Sequence, residues 1–184
     1  MAIYLTSDLH FCHDRGFLYG PRGFDCIDAH DCAIIENWNE RVEPDDDVYI
    51  LGDLMLNDNI HGLECLRLLN GNKFLVRGNH DTDVRWKMYA DAGLQTLGWA
   101  HYLKYRKYHF YMSHFPTLTG NLEAESLHQM TLNLHGHTHS KDMFYEDRPY
   151  MFNVALDAHN NCPILLDDII THMKNKVDEC IKML

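Results

Sequence analysis

Five short groups of polar side chains recur along the chain, and their residue types suit metal binding. They are Asp8-Leu9-His10, Gly52-Asp53, Gly78-Asn79-His80-Asp81, Ser113-His114 and His135-Gly136-His137-Thr138-His139. Carboxylate, amide and imidazole groups are ligands of divalent metal ions. Each group follows an apolar, β-branched or aromatic run, so the sequence predicts a site built on loops at strand ends.

Seven of these side chains are candidate metal ligands: Asp8, His10, Asp53, Asn79, His114, His137 and His139. Two carboxylates, one amide oxygen and four imidazoles are too many for one tetrahedral ion, but they suit two octahedral-like ions that share a ligand. The carboxylate of Asp53 has two oxygens and can bridge two cations. A single buried histidine is more often a hydrogen-bonded core residue than a ligand, so no residue taken alone establishes a metal site. The order of all five groups, each following a strand-like run, favours the metal site.

The hydrophobic pattern predicts the elements that position these groups. Apolar runs predict strands at residues 2–7, 48–51, 73–77, 99–103, 108–112, 131–134 and 151–156. Helical spacing predicts helices from an N-cap at Asp25 to residue 41, at 60–69, at 84–92 and from 167 to 184, with a helical turn at 123–128. Early βαβ alternation followed by a strand-rich second half predicts an α/β domain with two packed sheets and helices on the outer faces.

Length and composition predict one enzyme-sized domain over residues 1–184. The chain is 46% hydrophobic and 23% charged, and no stretch approaches the roughly 18 apolar residues of a membrane helix. The formal net charge of −11 argues against binding a nucleic-acid polymer, and nothing indicates an obligate protein partner. The N-terminus lacks a signal-peptide pattern and the six cysteines form no CxxC pair, so we expect a cytoplasmic protein with reduced thiols.

The motif series resembles the calcineurin-like metallophosphoesterase superfamily. The matching motifs are Asp8-x-His10, Gly52-Asp53, Gly78-Asn79-His80-Asp81, His114 and Gly136-His137-x-His139. The start Ser7-Asp8-Leu9-His10-Phe11-x-His13 is similar to the small bacterial and phage branch, although this chain has Cys12 where that branch often carries Gly. The resemblance implies a four-layer αββα sandwich of two mixed β-sheets flanked by helices.

The resemblance also implies a centre of two divalent metal ions. By motif position, one ion would be bound by Asp8, His10, Asp53 and His139, and the other by Asp53, Asn79, His114 and His137. His80 would be the catalytic histidine, and Asp81 its orienting partner. Manganese is the ion we expect first, although these ligands also admit iron, zinc, cobalt or nickel.

The expected function is metal-dependent hydrolysis of a phosphodiester or phosphomonoester by attack of a metal-bridging hydroxide. Small phosphoesters are the implied substrates, with nucleotides and cyclic nucleotides as candidates. The residues considered for phosphate binding are Arg15, Arg22, Arg77 and His13. The alternative is a non-catalytic metal-binding scaffold or interaction module on the same fold. The complete ligand set and His80 favour the enzyme.

Overall fold

The computed structural model of the protein describes residues 1–124 and 126–182, and two β-sheets lie at its centre. In chain order the strands are β1 (Ile3–Thr6), β2 (Asp47–Leu51), β3 (Asn72–Val76), β4 (Gln95–Gly98), β5 (Ala100–Tyr105), β6 (Tyr108–Ser113), β7 (Thr131–His135), β8 (Met151–Asn153) and β9 (Ile164–Leu165). The first sheet has the order β4-β3-β2-β1-β9, and the second has the order β5-β6-β7-β8. Each sheet contains parallel and antiparallel neighbours, so both are mixed.

Helices pack against these sheets. Their bounds are α1 (Gly16–Tyr19), α2 (Ile27–Asn39), α3 (Asn59–Arg67), α4 (Asp83–Asp91) and α5 (Leu166–Lys182), with 3-10 turns at Tyr145–Asp147 and Leu156–Ala158. α2, α3 and α4 share one apolar cluster with β2 and β3, and α5 joins a second cluster that contains side chains of both sheets. The α/β fold class is therefore confirmed as the four-layer αββα sandwich of two mixed sheets flanked by helices.

Strand β2 illustrates how the sequence builds this sandwich. Successive side chains of a strand point to opposite faces of the sheet. Val48 and Ile50 pack in the cluster shared with α2, α3 and α4, whereas Tyr49 and Leu51 pack in the cluster that joins the two sheets. Because β2 is buried on both faces, its sequence is a continuous apolar run rather than an alternating one.

Parallel pairing brings the carboxyl ends of five strands to one edge of the sandwich. β1 pairs in parallel with β2, and β2 with β3, in the first sheet. In the second sheet β6 pairs in parallel with β7. A parallel bridge between Ser7 and Ala155 links the chain after β1 to the chain after β8, so the two sheets meet at this edge. The loops that follow β1, β2, β3, β6 and β7 therefore converge.

Two local predictions differ from the structure, and two others fall partly outside the described residues. The run predicted as a strand at 99–103 is preceded by a further strand, β4, and Gly98 adopts φ +88° where the chain passes from the first sheet to the second. Asp25 is not the N-cap of α2, because that position is taken by Cys26, which makes no side-chain cap, and the helix ends at Asn39. Glu125, in the predicted helical turn at 123–128, lies outside the described residues. Residues 183 and 184, at the end of the predicted last helix, also lie outside them. Across the described part of the chain, every helix is too short or too polar to cross a membrane.

Candidate metal centre

Left-handed backbone conformations mark the loops that carry most of the candidate ligands. Asp8, His10, Asp53, His137 and His139 all have φ between +48° and +69°. Non-glycine residues rarely adopt this conformation, and it persists where the surrounding structure enforces it, often at functional sites. Here the N–H of Asp8 donates to the carbonyl of Gly52 (3.0 Å), and the N–H of His10 donates to that of Asp53 (3.0 Å).

Asp8, His10 and His139 form one half of the site. The Nε2 atoms of His10 and His139 each lie 3.7 Å from Asp8 Oδ1. Asp8 and His10 are fully buried. Asp8 Oδ1 and His10 Nε2 have no hydrogen-bond partner in the described structure. A buried polar atom without a partner is costly, and a ligand between these two atoms would satisfy both.

Asp53, Asn79, His114 and His137 form the other half. His114 Nε2 lies 3.4 Å from Asp53 Oδ2, 2.8 Å from Asn79 Oδ1 and 3.2 Å from His137 Nδ1. The Nδ1–H of His114 donates to the carbonyl of Leu51 (2.8 Å), which fixes the ring and turns Nε2 towards the other three side chains. Asp53 Oδ2 also lies 3.8 Å from His10 Nε2, so this carboxylate stands between the two halves.

His80 lies at the entrance to the site. Its backbone N–H donates to Asp53 Oδ1 (2.8 Å), and its Nε2 lies 3.9 Å from Asp53 Oδ2. The side chain is 43% exposed, so it can reach both the buried centre and solvent. The ring of His13 lies 6.2 Å from that of His80 and 5.2 Å from that of His10.

Two glycines allow these loops to approach so closely. A Cβ atom at Gly78 would overlap the carboxylate and backbone nitrogen of Asp53, and one at Gly136 would overlap the side chains of Ser7 and Asp8. Gly136 therefore permits the close approach of the backbone to Ser7 and Asp8. The N–H of His137 uses this approach to donate to Asp8 Oδ2 (2.9 Å).

The electrostatics favour a cation in the site. Burial opposes ionisation of Asp8, but the adjacent imidazole of His10 and the neighbouring His114 and His139 rings outweigh it and lower the pKa of Asp8. Burial alone would lower the pKa of His114, yet Asp53 and Asp8 raise it to about 9. Burial lowers the pKa of His10, which keeps its imidazole neutral. Ionised carboxylates and a neutral His10 are the protonation states that metal ligands require, and a cation at this site would displace the proton that Asp53 and Asp8 hold on His114.

The donor set and the two unpartnered atoms fit divalent metal ions. At this site the ligand atoms form two groups, and within each group they lie within 4.8 Å of one another. One group comes from Asp8, His10 and His139, and the other from Asp8, Asp53 and His114. All seven ligands predicted from sequence lie at this edge of the sandwich, so the structure brings the whole predicted set together.

Asp157 and Arg22 support the site and were not predicted to do so. Asp157 Oδ2 accepts from the Nδ1–H of His139 (3.1 Å), and Arg22 binds both carboxylate oxygens of Asp157 (3.1 and 2.7 Å). Arg22 also donates to the carbonyl of Asp8 (2.8 Å). Burial opposes ionisation of Asp157, but the contacts with His139 and Arg22 lower its pKa. Asp157 directly follows the apolar run at residues 151–156. The other candidate groups were identified because they follow such runs, so the same criterion would have identified Asp157.

The same network continues to the loop after His10. His30 accepts from Arg22 (3.0 Å) and donates to Asp31 Oδ1 (2.7 Å), while Asp31 Oδ2 accepts from the N–H of Cys12 (2.8 Å). His30 is fully buried. Its burial is possible because both ring nitrogens have partners.

The prediction that Asp81 orients His80 is wrong. The carboxylate of Asp81 accepts from the backbone N–H groups of Asp53 (2.9 Å), Leu54 (3.3 Å) and Gly78 (2.8 Å), and from the hydroxyl of Tyr89 (3.0 Å). Asp81 therefore ties the loop after β2 to the loop after β3.

The residues considered for phosphate binding have different surroundings. Arg22 is buried and fully engaged in the Asp157 network. Arg77 donates to the carbonyl of Asp81 (2.7 Å) and lies over the ring of Trp99, which gives it a structural position. Arg15 is exposed. His13 is the one of the four that lies beside the centre, since its Nδ1 is 3.3 Å from that of His10.

These observations agree with comparison to known proteins. The family model for the calcineurin-like phosphoesterase superfamily domain matches residues 1–154, so the chain belongs to this superfamily. Membership of this superfamily supports the assignment of the chain as a phosphoesterase. Phosphoesterases are hydrolases, and this family is metal-dependent and acts on phosphoesters.

Proteins of similar length match most of the chain. An uncharacterized protein of Methanocaldococcus jannaschii is 31% identical, and the match covers 91% of this chain and 89% of that protein. The gene 66 protein of Mycobacterium phage D29 is 32% identical, with 96% and 98% covered. Two solved structures share the fold. A protein of unknown function from Aquifex aeolicus has a TM-score of 0.68 at 22% identity over 92% of this chain and 98% of that one, and an archaeal phosphodiesterase has a TM-score of 0.50 at 19% identity over 83% and 82%.

Proposed function

We propose that the protein hydrolyses a small phosphodiester or phosphomonoester with two divalent metal ions, of which Mn²⁺ is the first to test. The observation that carries this proposal is the convergence of five strand-end groups on two buried, unpartnered atoms, Asp8 Oδ1 and His10 Nε2. A site that only stabilised the fold would pair these atoms with each other or with neighbouring donors.

In this proposal the ligands divide into two sets that share Asp53. Asp8, His10 and His139 complete the first set, and the side chains that surround His114 Nε2 complete the second. When bound, the two cations supply an activated water molecule and neutralise charge on the phosphoryl oxygens.

His80 is the proposed catalytic residue. It is anchored through its backbone to Asp53 and leaves its ring free at the entrance, within reach of a phosphoester oriented by the buried centre. From this position a protonated imidazole can donate a proton to the leaving oxygen, or a hydrogen bond to the phosphoryl group in the transition state.

The rim of the site suits a leaving group with an apolar or planar part. The ring of Phe115 lies 4.6 Å from that of His137 and is 42% exposed. Phe17, also exposed, lies edge-on to His13 on the other side. Exposed aromatic rings bordering a polar centre can stack on an aryl group or a nucleobase.

The test begins with metal removal. Protein stripped with a chelator should lose hydrolysis of p-nitrophenyl phosphate and of its bis ester, and Mn²⁺ should restore it. Release from the bis ester alone indicates a phosphodiesterase, and release from the monoester indicates a phosphatase. Protein that binds two ions per chain but hydrolyses neither ester, nor nucleotide or cyclic-nucleotide substrates, would favour the non-catalytic scaffold.

Replacement of His80 separates catalysis from metal binding. In His80→Ala we expect kcat to fall by about 10²- to 10⁴-fold, the range for loss of a general acid or base, while the metal content per chain stays at the wild-type value. His128→Ala, which removes an exposed imidazole elsewhere, is the matched control. Full activity in His80→Ala would remove this residue from the mechanism.

A further inference from the structure

A second cluster of potential metal ligands lies outside the centre described above. The ligand atoms of Cys12, His61 and Cys65 lie within 4.8 Å of one another. Both thiols are buried, whereas the imidazole of His61 reaches solvent. Two sulfur atoms and one imidazole nitrogen differ in kind from the oxygen and nitrogen ligands around Asp53, so the two sites would select different ions.

The backbone on both sides holds these three side chains together. Cys12 has φ +62°, and its N–H and carbonyl are bound by Asp31 Oδ2 (2.8 Å) and Asn57 Nδ2 (3.3 Å). His61 and Cys65 are four residues apart on α3, so they share one face of that helix. The cluster therefore joins a loop and a helix that are each fixed independently of it.

The neighbour of His61 supports a ligand role for its ring. Nδ1 of His61 lies 3.4 Å from Glu64 Oε2, which leaves the other ring nitrogen free. Histidines that bind metal ions commonly donate their second N–H to a carboxylate, which sets the tautomer and the orientation of the ring. Two cysteines and one histidine leave one position of a tetrahedral zinc ion for water.

We propose that Cys12, His61 and Cys65 form an accessory site for a thiophilic divalent ion such as Zn²⁺. On binding, each thiol releases its proton to solvent and ligates as a thiolate, and the imidazole ligates in its neutral form. The ion links α3 directly to the loop that carries His10, so it stabilises the backbone of the principal centre without entering it.

Without an ion the two thiols behave as small apolar groups. Burial raises the pKa of Cys12 to about 12 and that of Cys65 to about 11, so both remain protonated at neutral pH. Both pack in the apolar cluster with α2, α3 and α4. The competing description of the cluster is therefore plain core packing, and the experiment must separate these two states.

Spectroscopy can separate the two sites, because sulfur-to-metal charge-transfer absorption requires a thiolate ligand and the principal centre contains none. The reduced, chelator-treated full chain is titrated with Co²⁺ or Cd²⁺, and zinc content is measured after equilibration with Zn²⁺. We expect the charge-transfer band in the wild-type protein and in Cys26→Ser, which removes an exposed thiol. Cys65→Ser should lack the band and bind one zinc equivalent fewer.

His61→Ala provides a second variant, because this side chain is exposed and its loss should leave the fold intact. Removal of even an outer partner of a metal ligand costs about 10- to 100-fold in affinity, so loss of His61 itself should weaken zinc binding at the accessory site at least tenfold. Absence of the band in the wild-type protein, or an equal band in Cys65→Ser, would overturn the proposal. Equal zinc affinity in His61→Ala would remove this residue from the site and overturn the three-ligand assignment.

Discussion

The two sheets hold their candidate ligands in different ways. On the first sheet, Asp8 and Asp53 are buried and bound into a lattice of backbone hydrogen bonds that joins the loops after β1, β2 and β3. On the second sheet, His137 and His139 lie on one loop and are partly open to solvent. His139 depends on the single carboxylate of Asp157 for its orientation.

The lattice on the first sheet centres on Asp81. This carboxylate accepts four hydrogen bonds, three of them from backbone N–H groups on two different loops. On the second sheet, His114 is also fixed by a backbone group, the carbonyl of Leu51, but the loop after β7 uses a chain of side chains. In this chain Asp157 contacts His139 and Arg22 contacts Asp157. The hydrogen bonds from backbone N–H groups to Asp81 form together with the fold. The carboxylate of Asp157, in contrast, orients only one ligand ring, that of His139.

The difference predicts which property each region controls. Damage to the lattice around Asp81 should appear mainly as lost stability, because buried donors lose their acceptor. Damage to the chain through Asp157 should also weaken metal binding, because His139 loses its orientation, besides the stability lost when the buried Arg22 loses its charged partner.

Loss of Asp53 should give the largest effect, since this carboxylate stands between both halves of the site. Loss of an outer partner costs about 10- to 100-fold in metal affinity, so loss of a shared, directly bound carboxylate in Asp53→Asn should exceed about 100-fold. Mn²⁺ titration and turnover of the preferred ester measure both quantities. Asp25→Asn, on an exposed side chain, is the control. Wild-type affinity in Asp53→Asn would refute the bridging role.

Asp81→Asn should cost stability first. The amide keeps one acceptor oxygen but turns an NH₂ group towards buried donors, so we expect the free energy of unfolding to fall by about 2–4 kcal/mol. Denaturant unfolding of the metal-free protein measures this change directly. If unfolding were unaffected while metal affinity collapsed, the division of roles between the two sheets would be wrong.

Asp157→Asn should differ from Asp81→Asn in that it weakens metal binding as well as stability. The Nδ1–H of His139 and the guanidinium of Arg22 lose a charged acceptor, and we expect metal affinity to fall about 10- to 100-fold, as for other carboxylates that orient a ligating histidine. Excess Mn²⁺ should restore most of the turnover, which distinguishes weakened binding from lost chemistry. A variant that excess metal does not rescue would place Asp157 in catalysis instead.

The sequence predicted the fold, and it predicted that the candidate ligands lie together, because both follow from local signals. Each ligand group directly follows an apolar run, and parallel strands bring such positions to one edge, so Asp8, Asp53 and His114 could be assigned together without coordinates. The strand β4 was missed because Gly98 divides one β-prone stretch between two sheets, and a pattern of apolar residues does not reveal a change of sheet.

The supporting residues were not predicted because their partners are distant in sequence. Asp81 was assigned to its neighbour His80, but the turn in which Asp81 N–H meets the carbonyl of Gly78 (3.3 Å) directs the carboxylate to the loop after β2. Arg22 and Asp157 are 135 positions apart. Only the packed sandwich brings such pairs into contact, so their roles depend on tertiary structure rather than on a motif.

Tyr89→Phe offers the smallest and sharpest test of the lattice. The hydroxyl of Tyr89 donates to Asp81 Oδ1 (3.0 Å), and the ring is fully buried in the cluster with α2 and α3. Removal of this one donor leaves three backbone donors on Asp81, so we expect the free energy of unfolding to fall by about 1 kcal/mol, with metal affinity unchanged. Combined with Asp81→Asn, the loss should be less than the sum of the two single effects, because both variants remove the same hydrogen bond. An additive double variant would mean that the hydroxyl of Tyr89 acts independently of Asp81, and that the lattice consists only of backbone donors.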